Sequence, residues 1–206
     1  MQTSPSITLP ARADQPATSA KPQIFAMDNL LPDHKRQEVF DYLMSPGWGY
    51  GAYSDEAPGA SRYWFKHFAG FVGNGEDRDI QSIENELASF PIIAEVWRLL
   101  KANPLKGHTL MRCYANGYPA GAEGGVHLDS LEQNHFTAIY YSHSAWDPNY
   151  GGETVFFNSD RSDIVASVYP RPNRLVIFRG DVPHVARGVS RRCPELRVTL
   201  MFKTAL

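Results

Sequence analysis

The chain has 206 residues, 43% hydrophobic and 20% charged, a balance that excludes wholesale disorder and suits one domain, since single cores run to roughly 100–200 residues. Twenty Lys and Arg against 22 Asp and Glu leave a formal charge of −2, which excludes a general basic footprint for nucleic acid or an anionic membrane. Residues 1–22, rich in Ser, Thr, Ala and Pro without a sustained period, are expected to form a flexible tail before one domain at 23–206. Met1–Gln23 lacks the basic start and apolar run of a signal peptide, and no stretch reaches the ~20 apolar residues of a membrane helix. Cys113 and Cys193, 80 residues apart, form neither a disulfide framework nor a CxxC zinc site. They read as free thiols of a soluble, cytoplasmic protein.

Structure is expected to begin at Ile24-Phe25-Ala26-Met27, with a turn at Asp28-Asn29 and a helix opening at Leu31-Pro32-Asp33. Val39, Phe40, Leu43 and Met44 recur at helical spacing until Pro46-Gly47. The aromatic run Arg62–Phe68 reads as a buried strand, with Arg62 and His67 set apart as candidates for a substrate pocket. A second helical region covers Asp79 to about Leu100, with Ile80, Ile83 and Leu87 on one face and Ile92, Ile93, Val96, Trp97 and Leu100 on another. Pro91 between them starts a new helix at its first turn.

After Pro104 short β-rich runs alternate with Gly, Pro, Asn and Asp clusters: Thr109–Tyr114, Gly125–Asp129, Phe136–Ser142, Thr154–Phe157, Ile164–Tyr169, Arg174–Phe178, Val182–Val189 and Leu196–Lys203. Eight short strands after a helical first part predict a mainly β, α+β architecture built on an antiparallel double-sheet barrel or jelly roll.

The informative segment is Gly125-Val126-His127-Leu128-Asp129. On a strand, residues i and i+2 share a face, so His127 and Asp129 converge while Leu128 points away. His184, 55 residues after Asp129 at the mouth of a predicted strand, is the best third ligand. Two imidazoles and one carboxylate on one face are the ligand set of non-haem Fe(II) oxygenases. The plain alternative, a chance HxD of satisfied polar groups, is the commoner one for an HxD alone. Arg197, 13 residues after His184, shares a strand face with Thr199. Buried there it demands an anion, and the distal carboxylate of 2-oxoglutarate is one; at a surface edge it demands none. Flanking Leu196, Val198 and Leu200 leave the buried face open. Tyr140-Tyr141 ends the strand after the HxD, Tyr114 precedes the Asn116-Gly117 turn, and Gly151-Gly152-Glu153-Thr154 introduces a strand before His184.

Taken in order, Cys113-Tyr114, His127-Leu128-Asp129, Thr137–Tyr141, Trp146-Asp147, Gly151–Thr154, Arg174–Phe178, His184-Val185 and Arg197-Val198-Thr199 resemble the Fe(II)/2-oxoglutarate-dependent oxygenases of the prolyl 4-hydroxylase-like group. The resemblance spans Leu110 to Phe202 and implies a double-stranded β-helix core with supporting helices. It implies His127, Asp129 and His184 as iron ligands, with Arg197, assisted by Tyr141 and Thr199, holding the distal carboxylate of 2-oxoglutarate. It puts Tyr114 near the chelating end of that cosubstrate. The interval from His184 to Arg197 is longer than in many relatives. Arg197 is chosen because it alone is embedded in a β-branched strand, Arg187 being the fallback and Arg191-Arg192 a solvated turn.

The implied reaction consumes O2 and 2-oxoglutarate, releases succinate and CO2, and hydroxylates an unactivated C–H bond. Related halogenases replace the carboxylate ligand by a small residue, so Asp129 argues for hydroxylation, with desaturation and ring formation still open. The substrate reads as a small molecule (an amino acid or a biosynthetic intermediate, free or carrier-tethered), with a peptidyl, prolyl-type substrate as the alternative. Arg112, on the same side as Tyr114, either binds a substrate anion or pairs with Glu123 or Asp163. His135 stands in the rim segment that follows the HxD. Two readings from other classes are a cupin-like metal isomerase or hydrolase, which gives Arg197 and Tyr141 no task, and a jelly-roll binding module without catalysis.

Overall fold

A computed structural model describes residues 23–54, 59–70 and 80–206. The expected tail at 1–22 and Asp79 lie outside the described residues. Among the described residues no helix is long and apolar enough to cross a membrane.

Strand β1 (Ile24–Met27) leads through Asn29, held in the left-handed region at φ 56°, into helix α1 (Asp33–Met44). Val39 and Leu43 are its buried residues, and Ser45, already extended, ends it just before Pro46. Strand β2 (Gly49–Ala52) is not foreseen by the sequence reading, because Gly-Tyr-Gly-Ala carries little β-propensity. It is held as an edge by pairing with β3 (Tyr63–Gly70), the expected aromatic strand. Helix α2 (Ile80–Ala88) stops before α3 (Pro91–Ala102), which begins at Pro91 as the proline chemistry requires.

The remaining strands are β4 (Thr109–Tyr118), β5 (His135–Tyr141), β6 (Thr154–Phe157), β7 (Ile164–Val168), β8 (Arg174–Arg179), β9 (His184–Ala186) and β10 (Arg197–Ala205). They form a seven-stranded sheet in the order β1-β8-β5-β10-β4-β3-β2 and a three-stranded sheet in the order β7-β6-β9, with every named pairing antiparallel. The mainly β architecture with helices and a jelly-roll core is therefore the observed one.

Three expectations need correction. Asn116-Gly117 is not a turn but continues β4, paired on one side with β10 and on the other with β3. Gly125–Asp129 is not a strand: only His127 makes a bridge, its backbone N–H and C=O each exchanging a 3.1 Å hydrogen bond with His184, before Asp129 N–H turns to Gly180 O. The segment runs antiparallel beside β9, with Gly124 N–H on Ala186 O at 2.9 Å, but its bonds are too irregularly spaced for a continuous ladder. The strand expected over Val182–Val189 is likewise only the three residues of β9.

The large sheet is buried on both faces, and the two-residue period sorts them. Val198, Leu200 and Phe202 of β10, Ala138 and Tyr140 of β5, and Cys113 and Ala115 of β4 pack with Leu43, Leu87, Ile93, Val96 and Trp97 of the helices. Trp97 stacks on Phe202 with ring centroids 5.9 Å apart. The opposite face sends Ile139, Tyr141, Val176, Phe178 and Met201 against Phe156 and Val168 of the small sheet. That settles the orientation of β10: Val198, Leu200 and Phe202 face the helices, and Arg197, Thr199, Met201 and Lys203 are turned toward the small sheet.

Candidate metal and cosubstrate site

His127, Asp129 and His184 come together with one ligand atom from each within 4.8 Å of the others. Asp129 Oδ1 lies 3.5 Å from His127 Nε2, and Oδ2 lies 3.4 Å from His184 Nε2. Each imidazole turns its Nδ1 to a backbone carbonyl, His127 to Gly125 O at 2.8 Å and His184 to Val182 O at 2.9 Å. Those carbonyls accept, so Nδ1 carries the proton and the Nε2 lone pair points into the site, the orientation by which an outer-shell bond prepares a ligating histidine. The donor set, two neutral nitrogens and one carboxylate at a cavity wall, fits Fe(II).

Electrostatics favour the ligating form at Asp129 and His184. Burial alone would raise the Asp129 carboxyl, but the Lys203 ammonium, then the two histidines, hold it well below the usual carboxylate range. Burial lowers His184 to about 4, so it stays neutral at neutral pH. At His127 burial also pushes down, and is outweighed by the hydrogen bond and charge of Asp129, which raise it. Thr137 Oγ1 donates to Asp129 Oδ2 at 2.6 Å, and Lys203 Nζ forms an ion pair with the same oxygen.

Beside the triad lies a cavity of about 190 Å³ lined by Tyr114, Thr154, Arg197, Thr199 and the three ligands among others. Arg197, only 2% exposed, is the decisive group. Its Nε donates to Gly152 O at 2.5 Å and its Nη2 to Thr154 Oγ1 at 3.0 Å. The Tyr141 hydroxyl is 2.6 Å from that same Thr154 oxygen. The Tyr118 and Tyr141 rings lie 5.7 and 5.4 Å from its Cζ. Two of five N–H donors are thus spent, and among the described residues no carboxylate pairs with this buried charge. A buried guanidinium without a counter-charge on a cavity wall fits the carboxylate of a bound acid.

Gly152 makes room for it. At φ +77° it adopts a conformation that L side chains rarely take, and a Cβ there would stand 2.9 Å from Arg197 Cδ. We expect Gly152→Ala to weaken 2-oxoglutarate binding about 10–100-fold, as small misplacements of a positioning group do, while metal affinity stays within twofold; paired titrations of metal and cosubstrate check this.

The other sequence-predicted residues divide. Tyr114 borders this cavity and two neighbours, of about 420 and 360 Å³. Arg112 lines both neighbours, and His135, bonded through Nδ1 to Ser130 Oγ at 2.8 Å, lines the larger. Arg62 and His67 are not brought to these walls: Arg62 lies over the Tyr53 ring at 4.2 Å, and His67 sits opposite Tyr114 in the β3–β4 register. Arg187, the fallback, approaches the Phe157 ring instead of the triad. Sequence reasoning passed over Lys203, Thr137, Tyr118 and the site role of Thr154. Extending the Arg197–Thr199 face by two more steps of two would have reached Lys203.

The family model described as the 2OG-Fe(II) oxygenase superfamily matches residues 112–202. The fold is similar to an oxidoreductase of the 2OG-Fe(II) oxygenase family from Burkholderia pseudomallei (TM-score 0.63, 13% identity, covering 88% of this chain and 85% of that one). It is similar to a prolyl hydroxylase from Trichoplax adhaerens in complex with a peptide fragment of hypoxia inducible factor (0.58, 16%, 88% and 83%). It is also similar to HygX from Streptomyces hygroscopicus, with nickel and 2-oxoglutarate bound (0.57, 8%, 90% and 83%). A search of curated proteins found no match.

Proposed function

We propose that this chain is a 2-oxoglutarate-dependent iron dioxygenase, as the 2OG-Fe(II) oxygenase model matched over residues 112–202 supports, and that it hydroxylates an unactivated C–H bond of a small molecule. Residues 23–206 form one catalytic domain in this reading. Fe(II), 2-oxoglutarate and O2 are the superfamily's reactants, and when bound they supply the oxidant, with succinate and CO2 as coproducts. His127, Asp129 and His184 would hold the metal through Nε2, a carboxylate oxygen and Nε2. Arg197 would clamp the distal carboxylate, with Thr154 and Tyr141 fixing the guanidinium and Thr199 lining the wall. Tyr114, its hydroxyl proton retained because burial raises the phenol, would border the chelating end of the cosubstrate.

The observation that carries the reading is the unpaired, buried Arg197 in the cavity that also holds the triad. A zinc hydrolase has no use for that charge. The small-molecule preference rests on the size of the adjoining cavities, about 420 and 360 Å³. A peptidyl substrate is the second reading. The exposed ring pair Tyr50 and Trp64, 5.1 Å apart beside β2, gives an extended chain a surface to lie on. Buried, unbridged Cys113 and Cys193 suit a reducing compartment such as the cytoplasm.

The test is succinate release by the Fe(II)-loaded protein with 2-oxoglutarate, challenged separately with small-metabolite and peptide pools. We expect stimulation by the metabolite pool alone. Stimulation by peptides alone would give the second reading precedence, and metal-dependent turnover without 2-oxoglutarate would overturn both.

A further inference from the structure

The geometry points to an oxyanion-binding subsite for the substrate, formed by Arg112 with Lys203 behind it, and hence to a small carboxylic acid as the substrate class. The inference rests on the oxygenase reading above and deepens it.

The register places Lys203 of β10 directly opposite Arg112 of β4. Like charges directly opposite one another destabilise a sheet, so the pairing calls for a compensating anion. Lys203 has one: its ammonium is paired with Asp129 Oδ2 and donates to Thr137 Oγ1 at 3.0 Å. Arg112 has none. Among the described residues no carboxylate pairs with it, neither Glu123 nor Asp163, and its buried Nε has no hydrogen-bond partner. Its Cζ lies 4.3 Å from the Tyr114 ring centroid, a cation–π contact that uses none of its N–H donors.

Both cations line the cavity of about 420 Å³, whose only carboxylate among the described residues is Asp129. That carboxylate is committed to the metal in the oxygenase reading. With Asp129 so committed, no carboxylate lining this cavity among the described residues is left to balance Arg112. An incoming oxyanion supplies the missing charge, and the Arg fork gives it two parallel hydrogen bonds. Arg112 also borders the second cavity, of about 360 Å³, walled by Tyr50, Tyr53, Tyr63 and Phe65. An acid with a flat apolar body therefore finds an aromatic wall within reach of the same guanidinium. Held there, it lies beside Tyr114, which also borders the cavity of the metal ligands.

Benzoate, with benzamide as its neutral counterpart, is a suitable probe. Each is titrated into the Mn(II)-loaded protein at saturating 2-oxoglutarate, so that the Arg197 carboxylate site is already filled, and binding is read by calorimetry. We expect saturable benzoate binding at least tenfold tighter than benzamide. Arg112→Met should weaken benzoate at least tenfold and leave 2-oxoglutarate affinity within twofold. Arg112→Lys, which keeps the charge and loses the fork, should fall between. Equal binding of the two probes, no saturable benzoate binding, or unchanged benzoate binding in Arg112→Met would each overturn the subsite. If Mn(II) and 2-oxoglutarate themselves do not bind, the oxygenase reading fails first and the subsite falls with it. Circular dichroism of both variants separates loss of binding from loss of fold.

Discussion

Asp129→Ala is expected to abolish substrate hydroxylation and to weaken Fe(II) or Mn(II) binding about 100-fold or more, at least as much as losing an outer-shell partner costs. Asp129 is the only carboxylate of the triad and also the only ion-pair partner of Lys203 among the described residues. The substitution therefore acts twice. It removes a ligand, and it leaves an ammonium with a side chain 18% exposed facing two imidazoles. Breaking a buried pair from one side costs about 3–5 kcal/mol, so the metal-free variant should melt well below the parent. Adding Lys203→Met separates the effects: the double variant should regain most of the melting temperature and none of the metal affinity. Mn(II) titration followed by electron paramagnetic resonance reads the second quantity directly. Unchanged product yield in Asp129→Ala would remove the residue from the metal site.

Arg197→Met carries the next largest effect, and its two consequences have opposite sign. Truncating one partner of a buried charge pair costs about 2–5 kcal/mol, so 2-oxoglutarate affinity should fall about 30-fold or more. Without cosubstrate, however, the parent keeps a guanidinium that is 2% exposed and bonded to Gly152 O and Thr154 Oγ1, with no carboxylate beside it among the described residues. An apolar side chain of similar length relieves that desolvation, as replacing buried ions by well-packed apolar residues often does. The variant should therefore melt at or above the parent when both are free of 2-oxoglutarate, and below it when the cosubstrate is added. Two thermal scans, with and without 2-oxoglutarate, decide the matter. A variant stabilised by 2-oxoglutarate as much as the parent would remove Arg197 from the cosubstrate site.

Much of this arrangement was legible before any coordinates. His127 and Asp129 are linked by a two-residue step, and a step of two brings side chains to one side even where, as here, the segment is a bridge and not a strand. Pro91 marked the start of α3 because proline tolerates the first turn of a helix and little else in it. What stayed hidden was tertiary. Lys203 near a strand end reads as a solvated edge group, and only the closure of β4 and β5 around β10 buries it. Thr154 looked like ordinary strand material until the small sheet brought its hydroxyl between Arg197 and Tyr141. The Gly-Tyr-Gly-Ala strand β2 exists because β3 offers it an edge, which no local preference announces.

The placement of β10 has a consequence for how the molecule is made. It follows every other strand in the chain, yet it lies in the large sheet between β5 and β4 and bonds to both along most of its length. Until it arrives, β4 and β5 present open edges to the solvent, the kind of surface on which nascent chains stick to one another. The same late strand brings Arg197, Thr199 and Lys203. Assembly of the sheet and acquisition of the cosubstrate pocket are therefore one event, and a partly folded chain that lacks β10 has neither.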